Sequence, residues 1–256
     1  MKTTAYRKIG IIAAMQVEAE TLKAKIVSPE EETVSGILFT SGILCGVPVV
    51  LAVCGEGKVN AAVCAQSMIL RYGVDLLLNT GVAGNLSDDL AVGDVAIATD
   101  TVEHDYDISL LGYAPGMVLG INMIHIPCDE NAVALLDEIM TSIGVNHRLG
   151  TVASGDQFIG DAEPKERIRS LFGAIACEME GAAIGHVAAL NGVKYCVIRA
   201  LSDNADGSAP GNFGAFAASA AEISVRVTET FLSRVAKECK TSPASCPKRR
   251  GRVEEE

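Results

Sequence analysis

Tryptophan is absent from this chain, and all aromatics together make up only 4% of its 256 residues. Single-stranded nucleic acids are held by stacking bases on aromatic faces, so a binder of that kind is not expected. A basic face is missing as well. Asp and Glu outnumber Lys and Arg by 32 to 21, a formal net charge of −11, which is the wrong sign for neutralising phosphates. The one basic cluster, Lys248-Arg249-Arg250-Gly251-Arg252, is followed by Glu254, Glu255 and Glu256 and reads as part of a solvated tail.

Long hydrophobic runs are also lacking. No apolar stretch approaches the roughly 18 residues needed to cross a bilayer, so no membrane partner is expected. Lys2, Arg7 and Lys8 precede the apolar run 9–15 in the manner of a secretory leader, but the run is short, no small-residue cleavage site follows, and Glu18 and Glu20 come at once. A first β-strand is the better reading, with the cytoplasm as the expected location. Cysteine is plentiful at eight residues, yet no C-x-x-C pair or Cys/His cluster has zinc spacing. Cys54, Cys177 and Cys196 lie in apolar runs where cysteine behaves as a small hydrophobe, so buried free thiols are expected. His104-Asp105-Tyr106-Asp107 offers metal-type side chains with no matching set elsewhere, and a loop hydrogen-bond network is the alternative. Neither a metal nor a cofactor is expected.

Short apolar runs alternate with amphipathic stretches. Strands are predicted at 9–14, 38–40, 49–54, 76–80, 92–98, 149–153, 174–177 and 195–200. Helices are predicted at 17–25, 59–72, 132–143, 164–171, 181–190 and 213–235. Gly42 and Gly46 supply a turn between the second and third strands, and Pro48, which cannot donate to a ladder, suits the start of the third. Continuous rather than alternating apolar strands imply a sheet covered on both faces, in a mainly parallel α/β architecture. A single domain over 1–239 with a polar tail over 240–256 is expected.

In such folds binding sites gather at the carboxyl ends of strands, and the polar residues cluster there. Glu18 follows the first strand, the glycine turn Gly81-Val82-Ala83-Gly84 an inner one, and Ser154-Gly155-Asp156 another. Glu178-Met179-Glu180 and Ser202-Asp203 follow the last two. Three carboxylates so placed, Glu18, Glu180 and Asp203, suit cleavage of a sugar–leaving-group bond through an oxocarbenium-like state. That chemistry needs an acid on the leaving group, a base on water and negative charge near the sugar. Asp203 would then have to hold a proton, which its apolar approach 197–201 favours and Arg199 opposes if it points the same way. Each carboxylate also has a bland reading: Asp203 as a turn residue or helix N-cap, the glutamates as dipole partners of helix N-termini. Gly81–Gly84 matches neither common phosphate-loop motif and equally suits close backbone approach to a neutral ligand. Lys58, in Gly55-Glu56-Gly57-Lys58, is expected to be solvated. Phe158 and Phe213 are either core or stacking walls.

The ordered segments Ile-Gly-Ile-Ile-Ala-Ala-Met-Gln-Val-Glu (9–18), Gly-Lys-Val-Asn-Ala-Ala (57–62), Asn-Thr-Gly-Val-Ala-Gly (79–84), Ser-Gly-Asp-Gln-Phe-Ile (154–159), Glu-Met-Glu-Gly-Ala-Ala (178–183) and Arg-Ala-Leu-Ser-Asp (199–203) together resemble the 5′-methylthioadenosine/S-adenosylhomocysteine nucleosidases. The resemblance runs from about Ile9 to Val235. It implies a mixed central sheet forming a distorted barrel flanked by helices, a small-molecule nucleoside as partner, and a homodimer whose 5′ pocket is completed by the neighbouring chain near Leu110–Met117. It also implies that Glu18 deprotonates the attacking water, Glu180 holds the ribose hydroxyls, and Asp203, oriented by Ser202, protonates adenine N7. Arg199 orders the water site, Phe158 and Met179 form walls, the Ile159 backbone reads the adenine edge, and Phe213 acts as a lid. Met15, Glu56, Val82, Ala83, Gly84 and Glu178 complete the implied binding set.

Two residues depart from the family pattern. Val82 stands where serine is frequent, and Glu56 where an apolar residue usually faces the sugar and its 5′ substituent. Glu56 is expected to point outward at the helix N-terminus. A phosphorylase on the same fold is the competing reading, as is a preference for another 5′-modified adenosine such as 5′-deoxyadenosine or aminodeoxyfutalosine.

Overall fold

The structure, a computed structural model, describes residues 6–13, 16–205 and 213–241, leaving aside the side chains of 17–18, 213–220 and 239–241. The tail over 242–256 lies outside the described residues.

In chain order the elements are β1 (Ile9–Ala13), α1 (Gln16–Lys23), β2 (Val27–Val34), β3 (Ile37–Leu44), β4 (Val47–Val53), α2 (Lys58–Tyr72), β5 (Leu76–Asn85) and β6 (Val95–Glu103). There follow β7 (Ile126–Pro127), α3 (Glu130–Ile143), β8 (His147–Ser154), α4 (Ala162–Phe172), β9 (Ala174–Glu178), α5 (Gly181–Asn191), β10 (Lys194–Asp203) and α6 (Phe213–Thr241). β1 is buried at every position because it runs parallel between β4 and β5.

The sheet runs β10-β6-β8-β9-β5-β1-β4-β3-β2, and an additional β10–β5 pairing closes its first five strands into a ring. β1, β4, β3 and β2 continue outward from β5. The sheet is mixed rather than mainly parallel. β10 pairs antiparallel with β6, β9 with β5, and β2–β3–β4 form an antiparallel meander. That meander turns at Cys45 (φ 52°) and Gly46 (φ 83°), and Pro48 sits near the start of β4. β2, Val-Ser-Pro-Glu-Glu-Glu-Thr-Val, has no apolar pattern and is largely exposed, so its pairing with β3 defines it, not its composition.

Two strands run further than their apolar cores suggest. β5 continues through Gly81–Gly84, which is not a turn, because β10 pairs with it through Ala83 and Gly84. β10 carries Ser202 and Asp203 within the strand, past a register shift between Leu201 and Asp203. α5 packs close to β10 on a slim face of Gly181, Ala182, Ala183 and Gly185. A Cβ on Gly185 would fall 2.6 Å from Tyr195 Cζ.

The described cysteines are all free. Cys54, Cys64, Cys128, Cys177 and Cys196 are buried, and Cys45 is exposed. Among the described residues no helix is long and apolar enough to cross a membrane.

Candidate active site

Where β5, β9 and β10 end, a cavity of about 270 Å³ opens, walled also by the segment after β8. β5 contributes Val82, Ala83 and Gly84. β10 contributes Arg199, Ser202 and Asp203, and Cys177 to Glu180 come from the β9–α5 junction. Gln157, Phe158 and Ile159 close one side, and Glu56 lies at the rim. Thus most of the anticipated residues share one cavity.

Asp203 is 6% exposed. Its Oδ2 accepts from Ser202 Oγ at 2.8 Å and its Oδ1 from the Ala205 amide at 2.8 Å. Ser202 Oγ also lies 3.3 Å from the Ala83 carbonyl, so its single proton has two acceptors. Gly84 packs beside this carboxylate; a Cβ there would stand 3.3 Å from both Asp203 Oδ1 and Cys177 Sγ. Burial, then the Asp203 and Glu178 charges, push the Cys177 thiol up to about 12, so it lines the cavity as a neutral, non-nucleophilic group.

The two glutamates two residues apart do different things. Glu178 is turned inward and accepts from the Glu180 amide (3.0 Å), the Gly181 amide (2.9 Å), Ser154 Oγ and the Arg199 guanidinium. It is the dipole partner of the α5 N-terminus. Glu180 occupies the N-cap position but makes no capping bond with its side chain. Its Oε1 accepts instead from the Gly57 amide at 2.8 Å, and Arg199 Nη2 lies 3.5 Å from its Oε2.

Arg199, 1% exposed, is engaged on several sides. It donates to Glu178, to Asn79 Oδ1 and, over 3.3 Å, to the Val82 carbonyl. Its charge is therefore answered on the Glu178 side before it reaches Asp203. Asn79, in the apolar run of β5, ties the centre together by also donating to the Ile12 carbonyl of β1 at 3.0 Å.

Gly57 is placed by a strap of charges. The Lys58 amide donates to Asp156 Oδ1 (2.7 Å), and the Asp156 amide to Asp105 Oδ2 (2.8 Å). Lys58 Nζ reaches Asp105 (2.6 Å) and Glu103 (3.1 Å), and His186 Nδ1 lies 2.8 Å from Glu103. Lys58 is thus not the solvated lysine expected from its loop. Burial alone would lower its pKa, but the Asp105 and Glu103 carboxylates outweigh that and raise it. Asp105 is held below the ordinary value against its own burial, by the Lys58 ammonium and the Asp156 amide.

Asp107 accepts from the Ser109 amide at 2.9 Å, so the His104–Asp107 stretch is a loop hydrogen-bond network. His104 itself packs on Gly155, where a Cβ would fall 2.4 Å from Nε2. Burial is the main cause of its lowered pKa, which keeps the ring neutral.

Phe158 is 60% exposed at the cavity mouth and is not core, whereas Ile159 is buried in the wall. Glu56, expected to face away, is exposed yet lines the mouth. Glu18 lies in α1 directly after β1, with its carboxylate outside the described residues. Met15 lies wholly outside them, and Phe213 opens α6 with its side chain outside them. Sequence reasoning missed the Gly57 amide, the Lys58 strap and Asn79. Only Asn79 left a signal, as an amide inside an apolar strand.

A family model, the phosphorylase superfamily, matches residues 8–233. The chain is 36% identical to a 5′-methylthioadenosine/S-adenosylhomocysteine nucleosidase of Shewanella halifaxensis (strain HAW-EB4), over 89% of this chain and all of that one. Among solved structures it is similar to the nucleosidase of that name from S. pneumoniae with the transition-state inhibitor MT-ImmA (37% identity, TM-score 0.84, 88% of this chain and 98% of that one). It is also similar to a futalosine hydrolase of Helicobacter pylori strain 26695 (35% identity, TM-score 0.85, 89% and 98%). With this barrel, these strand-end carboxylates and this extent of identity, the chain belongs to the 5′-methylthioadenosine/S-adenosylhomocysteine nucleosidase family of the phosphorylase superfamily.

Proposed function

We propose that this protein hydrolyses the N-glycosidic bond of 5′-methylthioadenosine and S-adenosylhomocysteine, releasing adenine and the 5′-thioribose. The observation that carries this reading is that Glu180 and Asp203, both buried, line one cavity from two different strand ends. Asp203, oriented by Ser202, gives a proton to adenine N7 and lets the base leave. Glu180 accepts the ribose hydroxyls and offsets the positive charge developing on the sugar, and Glu18 takes a proton from the attacking water. Phe158 and Met179 wall the nucleoside, while the Ile159 backbone and the Val82–Gly84 strand edge approach it closely. Met15 and Phe213 belong to the same binding set. Arg199 and Glu178, bonded to each other and to backbone, serve as positioning residues.

A phosphorylase would need cations for its phosphate. Among the described residues lining the cavity Arg199 is the one cation, and it already serves Glu178. The similarity to a futalosine hydrolase makes aminodeoxyfutalosine, whose 5′ substituent ends in a carboxylate, the competing substrate. Exposed apolar side chains at Leu110, Leu111 and Tyr113 favour a homodimer in which the Leu110–Met117 segment reaches the neighbouring site. The buried free thiols suit a reducing cytoplasm.

The test is an adenine-release assay on methylthioadenosine, S-adenosylhomocysteine, 5′-deoxyadenosine and aminodeoxyfutalosine, each with and without phosphate. Release of adenine and free thioribose without phosphate is expected. Phosphate-dependent formation of a ribose 1-phosphate would overturn the hydrolase reading.

A further inference from the structure

The cavity mouth carries a charge that the reaction does not use. Glu56 sits between Gly55 (φ 82°) and Gly57 (φ 95°), two backbone conformations that side-chain-bearing residues rarely adopt. This turn fixes where Glu56 is presented. The next residue, Gly57, donates its amide to Glu180, so Glu56 stands one residue from the amide that holds this carboxylate. Asp203 is enclosed elsewhere, by Ser202, Gly84, Cys177 and Ala205. Glu56 therefore borders the part of the cavity where the sugar's substituent leaves for solvent.

The electrostatics at this rim have one sign. The nearby ammonium, Lys58, is turned away onto Glu103 and Asp105. Arg199 lies at the cavity floor on Glu178, and Asp156 adds a second carboxylate beside the turn. Among the described residues the Glu56 carboxylate has no hydrogen-bond or ion-pair partner, and the cavity surface around it is mainly apolar.

We propose that Glu56 is a specificity-determining residue that selects nucleosides whose 5′ substituent ends in an ammonium group. The apolar wall takes the thioether chain and Glu56 takes the cation at its end. A tail ending in a carboxylate meets like charge and, among the described residues, no free cation. This inference rests on the hydrolase reading above.

The test uses three 5′-deoxyadenosines of similar tail length, carrying 3-aminopropylthio, butylthio and 2-carboxyethylthio groups at the 5′ position. Adenine release is measured as kcat/KM at low and at physiological salt. The wild type is expected to favour the ammonium tail over the butyl tail by about three- to tenfold, as befits an exposed charge pair, with the preference shrinking as salt rises. Glu56→Gln is expected to bring the ratio near one, and Glu56→Lys to favour the carboxylate tail. A wild-type ratio near one, or a ratio unchanged in Glu56→Gln, would overturn the proposal while leaving hydrolysis intact. No adenine from any of the three would overturn the hydrolase reading itself, and the inference with it.

Discussion

The Gly57 amide donates to Glu180 Oε1 over 2.8 Å, joining the start of α2 to a residue 123 positions later in the chain. The positive φ of Gly57 strains any side-chain-bearing residue there, and Asp156 Oδ1 only 3.0 Å from where a Cβ would stand would have to shift. Gly57→Ala should therefore shift the amide from Glu180 and, on the role proposed for that carboxylate, weaken support of the sugar cation. We expect kcat to fall about tenfold or more, with a stability loss of only about 1–3 kcal/mol from backbone strain. Steady-state kinetics alongside urea unfolding separate the two; a stability loss with unaltered kcat would remove Glu180 placement as the reason for this glycine.

Asp203 has one oxygen held by Ser202 Oγ and the other by the Ala205 amide. Asp203→Asn keeps the shape but changes the proton inventory, and should lower single-turnover adenine release by about 10²- to 10⁴-fold. Binding of a non-hydrolysable adenosine analogue, followed by calorimetry, should be retained. Ser202→Ala should cost about tenfold, since one orienting hydrogen bond to the Asp203 carboxyl is lost. Turnover unchanged in Asp203→Asn would end its assignment as the acid.

Lys58 lies between Glu103 and Asp105, with its side chain 18% exposed. Lys58→Met leaves those carboxylates without their ammonium and should destabilise the fold by about 2–4 kcal/mol. The pH dependence follows from the two shifts. The raised Lys58 pKa adds stability that is complete below the ordinary value of 10.5 and disappears as pH climbs through the folded value. The lowered Asp105 pKa adds stability present above 3.8 and lost as pH falls through its folded value. A Lys58→Met/Asp105→Asn double-mutant cycle should thus show a coupling that is flat between pH 5 and 9 and collapses at both extremes, measured by denaturant titration. A coupling that peaks within that plateau would contradict the strap.

Gly185 allows α5 to approach β10 because a Cβ would fall 2.6 Å from Tyr195 Cζ. The Tyr195 hydroxyl is fixed from the other side by donating to the Ile126 carbonyl at 2.5 Å, so the ring cannot simply move away. Gly185→Ala, normally favourable in a helix, should here destabilise by about 1–3 kcal/mol through overpacking. A higher unfolding midpoint in the variant would show that the ring yields.

The apolar strands β1, β4, β5 and β10 were legible in the sequence because burial on both faces leaves continuous apolar runs. β2 was not legible, since a polar exposed edge is specified by its partner strand. Asp203 sits in a Ser-Asp-Asn-Ala-Asp-Gly stretch that locally reads as a turn, and only pairing with Gly84 holds it in β10. Spacing placed Glu178 and Glu180 near a helix start but could not say which would serve the helix. That depends on where Arg199 and the Gly57 amide arrive from distant segments. The solvated reading of Lys58 failed for the same reason, as its partners lie 45 and 47 residues away.

Asp203 is locked into one strand of the closed ring and Glu178 ends another, whereas Glu56 rides on a two-glycine turn at the rim. These parts can change independently under selection. On the roles proposed above, a lineage that exchanged the residue at position 56 would acquire a different diet of nucleosides while inheriting the bond-breaking apparatus unaltered.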